Sequence, residues 1–82
     1  MEKVRVTIYS RPGCHLCEEA KSTILAAGCA DIVLKEINIE EDPELNSRYQ
    51  YDIPVVFING VKTFKHFVDP REFRKKLKRL GG

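Results

Sequence analysis

The 82-residue sequence contains only three cysteines and no long apolar run. A membrane-spanning helix needs about 18 or more consecutive apolar residues, so we expect no membrane association. A small secreted scaffold usually carries more cysteines, in an even number, which argues against that class. The N-terminal MEKVRV also lacks the apolar core of a signal peptide, and we therefore expect a cytoplasmic protein.

An excess of one charge is also missing, since the net charge is only +2. That value is too small to indicate nucleic acid binding. The charges are nevertheless uneven, because EINIEEDPE is acidic and REFRKKLKR is basic. We interpret both runs as solvated faces of the protein. The alternative for the basic run is a patch that steers anionic partners.

The length and composition predict a single domain over residues 1–82, with 43% hydrophobic and 32% charged residues. Period-two alternation over residues 4–8 predicts a first strand. Residues 14–27 show helical spacing of apolar side chains, and Gly28 is a typical helix stop. Residues 31–39 predict a second strand, so the first half forms a strand–helix–strand unit with parallel strands.

The second half predicts a helix and then a hairpin. Asp42 and Pro43, a capping aspartate and a first-turn proline, start a helix that runs to about residue 49. Residues 53–58 and 61–67 predict two further strands. They are joined by Asn-Gly, a strong signal for a two-residue hairpin turn.

A closing helix follows Asp69, because Pro70 and Glu72 complete a capping-box pattern. Its apolar residues fall on one face: Phe73, Leu77 and Leu80. The order βαβαββα predicts an α/β fold in which three helices cover a four-stranded mixed sheet.

Two cysteines, Cys14 and Cys17, stand where the first strand gives way to the first helix. Their spacing places both sulfurs on one side of the first turn. The free N–H groups and the helix dipole at that turn favour an anion, so the pKa of a thiol there falls below its ordinary value of about 8.5. Because the thiolate is the species that attacks disulfides, we expect Cys14 to be the nucleophile and the more covered Cys17 to resolve.

Neighbouring residues leave alternatives open. His15 either favours the thiolate as a cation or is an exposed loop histidine, while Leu16 is expected to pack. Pro54 either opens a strand or forms a cis bond that exposes the Ile53 backbone to a substrate. Cys29 is expected to be an apolar filler, with a regulatory thiol as the alternative.

Together these features resemble a glutaredoxin, within the thioredoxin fold, over nearly the whole chain. The resemblance rests on the order of elements, on CHLC after the first strand and on IPVVFING, which is similar to the family's V-P-x-V-F-I-N-G. The chain is most similar to a group with S-R-P-G-C-H-L-C-E near the start and a late phenylalanine–aspartate pair, here within residues 67–69. Thioredoxins proper fit less well, because their acidic residue and tryptophan are replaced by Ile8 and Gly13.

The resemblance implies a set of roles. Cys14 attacks, Cys17 resolves and Pro54 is the cis proline, while glutathione or a substrate cysteine is bound by Arg11, the Ile53 backbone and Asp69. We also count His15 and Pro54 among the candidate substrate-binding residues. For Asp69, a helix cap is the better supported role. Glutathione is then a candidate co-substrate, with no resident cofactor and no metal.

The sequence also departs from the family pattern at two places. The usual C-P-Y-C is replaced by a pair with His15 and Leu16 between the cysteines, so the family's redox potential does not transfer. The family's Gly-Gly is replaced by Phe64 and Lys65, whose side chains are expected to narrow the glutathione groove.

We therefore predict a monomeric thiol–disulfide oxidoreductase that reduces disulfide-containing or glutathionylated proteins. One alternative is a metal carrier or cluster module that uses the same cysteine pair. Two features argue against a copper carrier. Pro12 stands where such carriers usually have a methionine, and the predicted order of elements ends on a helix, whereas theirs ends on a strand. The other alternative is a redox adaptor with little turnover.

Overall fold

The computed structural model describes residues 3–27 and 32–81 of the chain. The elements follow the predicted order: β1 (Val4–Ser10), α1 (His15–Ala27), β2 (Ile32–Asn38), a 3-10 turn (Ile39–Glu41), α2 (Pro43–Tyr49), β3 (Val55–Ile58), β4 (Val61–Lys65) and α3 (Pro70–Gly81). The strands form one sheet in the order β2-β1-β3-β4. β1 is parallel to β2, and β3 is antiparallel to both β1 and β4. The predicted α/β fold is confirmed.

The sheet carries a core on each face because successive strand residues point to opposite sides. On one face, the larger core joins Val6 and Ile8 of β1 to α1 and α3 through Ala20, Ile24, Phe73 and Leu77. On the other face, α2 and the 3-10 turn cover a smaller core that includes Ile39, Tyr49 and Val55. The predicted apolar face of α3 is therefore confirmed.

Local signals in the sequence account for the element ends. A carboxylate oxygen of Asp42 accepts hydrogen bonds from the Glu44 and Leu45 N–H groups at 3.0 and 3.4 Å, and so caps α2. Asn59 and Gly60 adopt positive φ angles of 48° and 84°, as the hairpin turn requires.

Four of the predicted boundaries were wrong by one or two residues. α1 begins at His15, with Cys14 just before it. The second strand ends at Asn38, because the Asn38 side chain accepts the Glu40 N–H at 2.9 Å and starts the 3-10 turn. The third strand begins at Val55. The fourth ends at Lys65, since His66 has a φ of 73° and leaves the ladder.

Three predictions lie outside the described residues: the helix stop at Gly28, the role of Cys29 and the strand start at Asp31. Within residues 3–27 and 32–81, no helix is long and apolar enough to cross a membrane.

Candidate active site

The Cys14–Cys17 pair lies at the end of a tight turn between β1 and α1. The Cys14 N–H donates to the Arg11 carbonyl oxygen at 3.4 Å. Gly13 adopts a φ of 77°, in the left-handed region that favours glycine. This turn directs the chain from the sheet into α1 with Cys14 immediately before its first residue.

Cys14 and Cys17 are joined in a disulfide, with their Cα atoms 5.2 Å apart. The two sulfur-bearing residues differ in exposure, because Cys17 is only 1% exposed while Cys14 is half-buried. A substrate sulfur can therefore approach Cys14 more easily than Cys17. This difference supports the predicted division into attacking and resolving thiols.

The first turn of α1 presents a hydrogen-bond donor to Cys14. The backbone N–H of Cys17 donates to Cys14 Sγ at 3.2 Å. In the reduced protein the same N–H would face a thiol or a thiolate, and a hydrogen bond to the charged form favours ionisation. Such a hydrogen bond would favour the thiolate, the form that attacks disulfides, without a charged side chain.

The side chains around the pair are mostly solvated. His15 is 86% exposed and its Nε2 lies 3.2 Å from a Glu19 carboxylate oxygen. Arg11 is also exposed. Leu16 is 47% exposed, so it does not pack in the core as expected: it lines an open cleft with Ala20, Phe67 and Val68.

The Ile53–Pro54 peptide bond is cis, as the resemblance implies. Tyr9, near the end of β1, is the register partner of Val55 at the start of β3. The Cys turn and the cis bond therefore lie at the same end of neighbouring strands. Ile53 and Cys17 belong to one buried cluster, against which Cys14 packs.

Backbone hydrogen bonds hold the segment before β3. The His66 N–H donates to the carbonyl oxygens of Pro54 and Asp52 at 2.9 and 3.2 Å. The Ile53 N–H donates to the Tyr49 carbonyl oxygen at 3.1 Å. In this conformation an incoming backbone can therefore pair with Ile53 only through the Ile53 carbonyl group.

Three aromatic side chains support this end of the sheet, and the sequence analysis did not single them out. The rings of Tyr9 and Tyr49 stack at 4.9 Å between centroids, and Phe57 meets Tyr9 edge-on at 5.5 Å. All three pack in or against the cluster that contains Cys17. The available signal was the alternation in β1, which turns Tyr9 to the opposite face from Ile8.

One predicted glutathione contact, Asp69, has a structural role in this conformation. An Asp69 carboxylate oxygen accepts from the Arg71 and Glu72 N–H groups at 2.8 and 3.2 Å, which confirms the helix cap. The Glu72 carboxylate lies 3.8 Å from Lys75 Nζ, so the Glu72 side chain is directed along α3 towards Lys75.

The pair that replaces Gly-Gly is divided between core and surface. Phe64 packs on the larger core, 6.3 Å from the Phe73 ring, and Lys76 Nζ lies 5.7 Å from the Phe64 centroid. Lys65 is exposed. The expectation that both side chains narrow a surface groove is therefore wrong for Phe64, because its ring is directed inward.

The ligand set for a metal is small. Among residues 3–27 and 32–81, no group of three or more His, Cys, Asp or Glu side chains gathers to hold an ion. A structural zinc site needs four ligands, so the cysteine pair does not complete one within the described part of the chain.

Comparison with known proteins agrees with this geometry. Residues 5–78 match the model of a family described as glutaredoxin-like domain (DUF836). The chain is also similar to the glutaredoxin-like protein YDR286C homolog of Dictyostelium discoideum, with 35% identity over 75 residues. That alignment covers 83% of this chain and 69% of the relative.

Two solved structures have a similar fold. Protein XcR50 from X. campestris superposes with a TM-score of 0.78 at 26% identity, covering 90% of this chain and 96% of that protein. The glutaredoxin-like NrdH-redoxin of Escherichia coli has a TM-score of 0.63 at 25% identity, with 87% and 92% covered. The fold is that of the thioredoxin superfamily.

Proposed function

Since this chain belongs to the glutaredoxin-like domain family, we propose that it is a thiol–disulfide oxidoreductase working through Cys14 and Cys17. The observation that carries the proposal is the Cys14–Cys17 disulfide at the start of α1, with Cys17 buried and Cys14 half-buried. A buried, unreactive pair would leave neither sulfur accessible, whereas exchange requires access to one.

The reaction balances as a two-electron exchange. The Cys14 thiolate attacks one sulfur of a substrate disulfide, which breaks the S–S bond and releases the other sulfur as a thiolate. A Cys14–substrate mixed disulfide forms. Cys17, after losing its proton to solvent, attacks Cys14 Sγ, releases the second substrate thiolate and forms the Cys14–Cys17 disulfide.

The substrates we propose are disulfide-containing or glutathionylated proteins, approached by a monomer in the cytoplasm. The cytoplasmic assignment is supported by a cysteine content too low for a disulfide scaffold. No resident cofactor is needed, because both electrons reside in the thiol pair. Reduction of the Cys14–Cys17 disulfide needs an external donor, and glutathione is one candidate.

A dithiol donor is the second candidate. NrdH-redoxin, similar in structure to this chain, is a glutaredoxin-like protein described as having a thioredoxin-like activity profile. In this chain Lys65 is exposed where the family's second glycine allows glutathione to approach. Both observations favour a donor other than glutathione.

The deciding experiment compares two donors on three proteins. Wild type, Cys14→Ser and Cys17→Ser are assayed with a glutathione mixed disulfide, reduced glutathione and glutathione reductase. The same proteins are assayed in parallel with a protein disulfide and a non-glutathione dithiol donor. We expect Cys14→Ser to abolish turnover in whichever system is active, because Cys14 forms the mixed disulfide.

Each outcome selects one interpretation. Glutathione-dependent turnover that survives in Cys17→Ser identifies a glutaredoxin activity, because glutathione itself can release the mixed disulfide. Turnover with the dithiol donor alone supports an oxidoreductase and contradicts a glutathione site. Absence of turnover in both systems contradicts the proposal. Metal bound to the anaerobically purified protein would then support the carrier.

A further inference from the structure

A cleft of about 410 Å³ runs along α1, beside the disulfide. Leu16, Ala20 and Thr23 line one wall, and Phe67 and Val68, between β4 and α3, line the other. Leu16 stands between the two cysteines in the sequence, so the cleft begins at the helix turn that carries Cys17. Thr23 lies seven residues further along α1, about 10 Å away at helical rise.

The mouth of the cleft exposes apolar surface. Phe67 is 66% exposed and Leu16 is 47% exposed. Phe67 is held outward by the turn before it, where its N–H donates to the Lys65 carbonyl oxygen at 2.9 Å across His66. Two large apolar side chains thus face solvent on opposite walls next to the disulfide.

A basic stripe begins at the same place, on α3. Its members follow helical spacing on the exposed side of the helix: Arg71, Arg74, Lys75, Lys78 and Arg79. Phe73 and Leu77 are buried on the opposite side. Arg71 lies in the first turn of α3, three residues after Val68 in the wall of the cleft, so the stripe starts close to the cleft along the chain.

Most of the stripe is uncompensated. Within the described residues, the only carboxylate within 4.0 Å of these five cations is Glu72, which lies 3.8 Å from Lys75. Glu19 is the one acidic side chain lining the cleft, and it lies 3.2 Å from His15. The cleft therefore combines apolar side chains (Leu16, Ala20, Phe67 and Val68) with polar ones, and a positive surface begins a few residues beyond it on α3.

From these features we infer that the cleft and the stripe together dock the protein substrate. An apolar side chain beside the substrate cysteine enters the cleft, and acidic side chains further along lie on the stripe. The occupant is a polypeptide because thiol–disulfide exchange at Cys14 needs a partner sulfur, which nucleic acids and lipid headgroups lack. The inference rests on the proposed function and adds its substrate preference.

Four synthetic cysteine peptides test the inference. Each carries 5-thio-2-nitrobenzoate on its cysteine, and the four combine leucine or alanine beside the cysteine with an acidic or a basic flank. Attack by reduced Cys14 on the peptide sulfur releases the coloured thiolate. Cys17 then frees the peptide thiol and closes the disulfide. Free cysteine carrying the same leaving group measures the basal reaction.

We expect the acidic leucine peptide to react fastest. The peptides with leucine should react faster than those with alanine by a factor on the order of ten, which is the low end of the discrimination gained by filling an apolar site. At low salt, the peptides with an acidic flank should react faster than those with a basic flank by a factor on the order of ten. The second advantage should shrink as salt rises, because salt screens exposed charges.

Two variants with matched controls assign each advantage. Phe67→Ser should remove the leucine advantage, while Leu25→Ser, an equally drastic change at a residue 58% exposed elsewhere on α1, should keep it. Arg71→Glu with Arg74→Glu should remove the acidic advantage. Lys35→Glu with Lys62→Glu, an equal charge change at exposed strand positions, should keep it.

The basal reaction separates the two hypotheses. No reaction with the free cysteine derivative contradicts the proposed function itself. A normal basal rate with equal rates for all four peptides overturns the docking inference alone. Binding of a DNA duplex that Arg71→Glu with Arg74→Glu abolishes, without peptide discrimination, would also overturn it and assign the stripe to nucleic acid.

Discussion

Cys14 and Cys17 have the same chemistry and differ in their surroundings. Cys17 is buried among Ile53, Tyr49 and Val55, whereas Cys14 packs against the edge of that cluster. The Cys17 N–H, which no intrahelical carbonyl accepts in the first turn, donates to Cys14 Sγ. At this scale the site depends on one half-buried, accessible sulfur and one oriented N–H.

The first prediction concerns ionisation of Cys14. Cys17→Ser with Cys29→Ala leaves one thiol and keeps the backbone N–H at position 17. We expect its thiolate absorbance to appear at lower pH in the folded protein than in guanidinium, because the helix start and that N–H stabilise the anion. A pH titration by ultraviolet absorbance measures both.

Linkage gives an independent check. A thiol that ionises more readily in the folded chain adds stability above the unfolded midpoint, and this stability is lost as pH falls through the folded midpoint. The matching control is Cys14→Ser with Cys29→Ala. Equal thiolate titration midpoints in the folded and unfolded protein would show that the negative charges of Glu18 and Glu19 cancel the stabilisation of the anion by the start of α1.

The elements bring the parts of the site together through their ends. β1 ends and β3 begins at the same edge of the sheet, since Tyr9 pairs with Val55. The turn into α1 and the segment before β3 are therefore neighbours. The Asp69 cap fixes the start of α3, and Asn59 and Gly60 form the hairpin turn at the opposite end of β3.

The second prediction separates the two roles of Asp69. Asp69→Ala should lower the free energy of unfolding by about 1 kcal/mol, because two N–H groups of α3 lose their acceptor. Asp69→Asn should cost less, since asparagine caps equally well. Denaturant unfolding measures both. If Asp69→Asn retains stability but raises the KM for a glutathione mixed disulfide, the carboxylate has a binding role besides the cap.

The third prediction concerns the β3–β4 turn. Gly60 has a φ of 84° with no atom within 4 Å of an added Cβ. Gly60→Ala should therefore cost only the backbone strain, about 1–2 kcal/mol. Gly60→Asn should cost less, because asparagine tolerates that region. Equal losses for the two variants in thermal unfolding would contradict this explanation.

The whole molecule divides its apolar residues between the two faces of the sheet. The larger core joins α1 and α3 to the sheet, and the smaller core holds Cys17. Phe73 is fully buried in the larger core and contacts the Phe64 ring. The position of α1, and with it the disulfide, depends on this packing.

The fourth prediction follows from that packing. Phe73→Ala should lower the free energy of unfolding by about 3–5 kcal/mol, through lost burial and a cavity, a large part of the roughly 5–15 kcal/mol typical of small proteins. Tyr51→Ala, at a residue 84% exposed, should change it by less than about 0.5 kcal/mol. Circular dichroism in denaturant compares them. A loss below about 1 kcal/mol for Phe73→Ala would show that the core closes around the gap.

Patterns that involve only neighbouring residues were sufficient to predict the elements. Alternation in β1, the caps at Asp42 and Asp69 and the Asn-Gly turn express local hydrogen bonding and backbone preference. The same holds for the cysteine pair at a strand–helix junction. The order of these signals along the chain, with its resemblance to a family, was enough for the fold.

The tertiary structure decided what depends on distant partners. β4 ends at Lys65 because His66 adopts a φ of 73° while its N–H bonds to Asp52 and Pro54, and the inward ring of Phe64 depends on Phe73. Leu16 is exposed because an open cleft separates it from the distant segment at Phe67 and Val68. The cleft and the basic stripe meet only when α1 and α3 pack side by side. Helical periodicity determines which residues share a face, but only packing determines what that face meets.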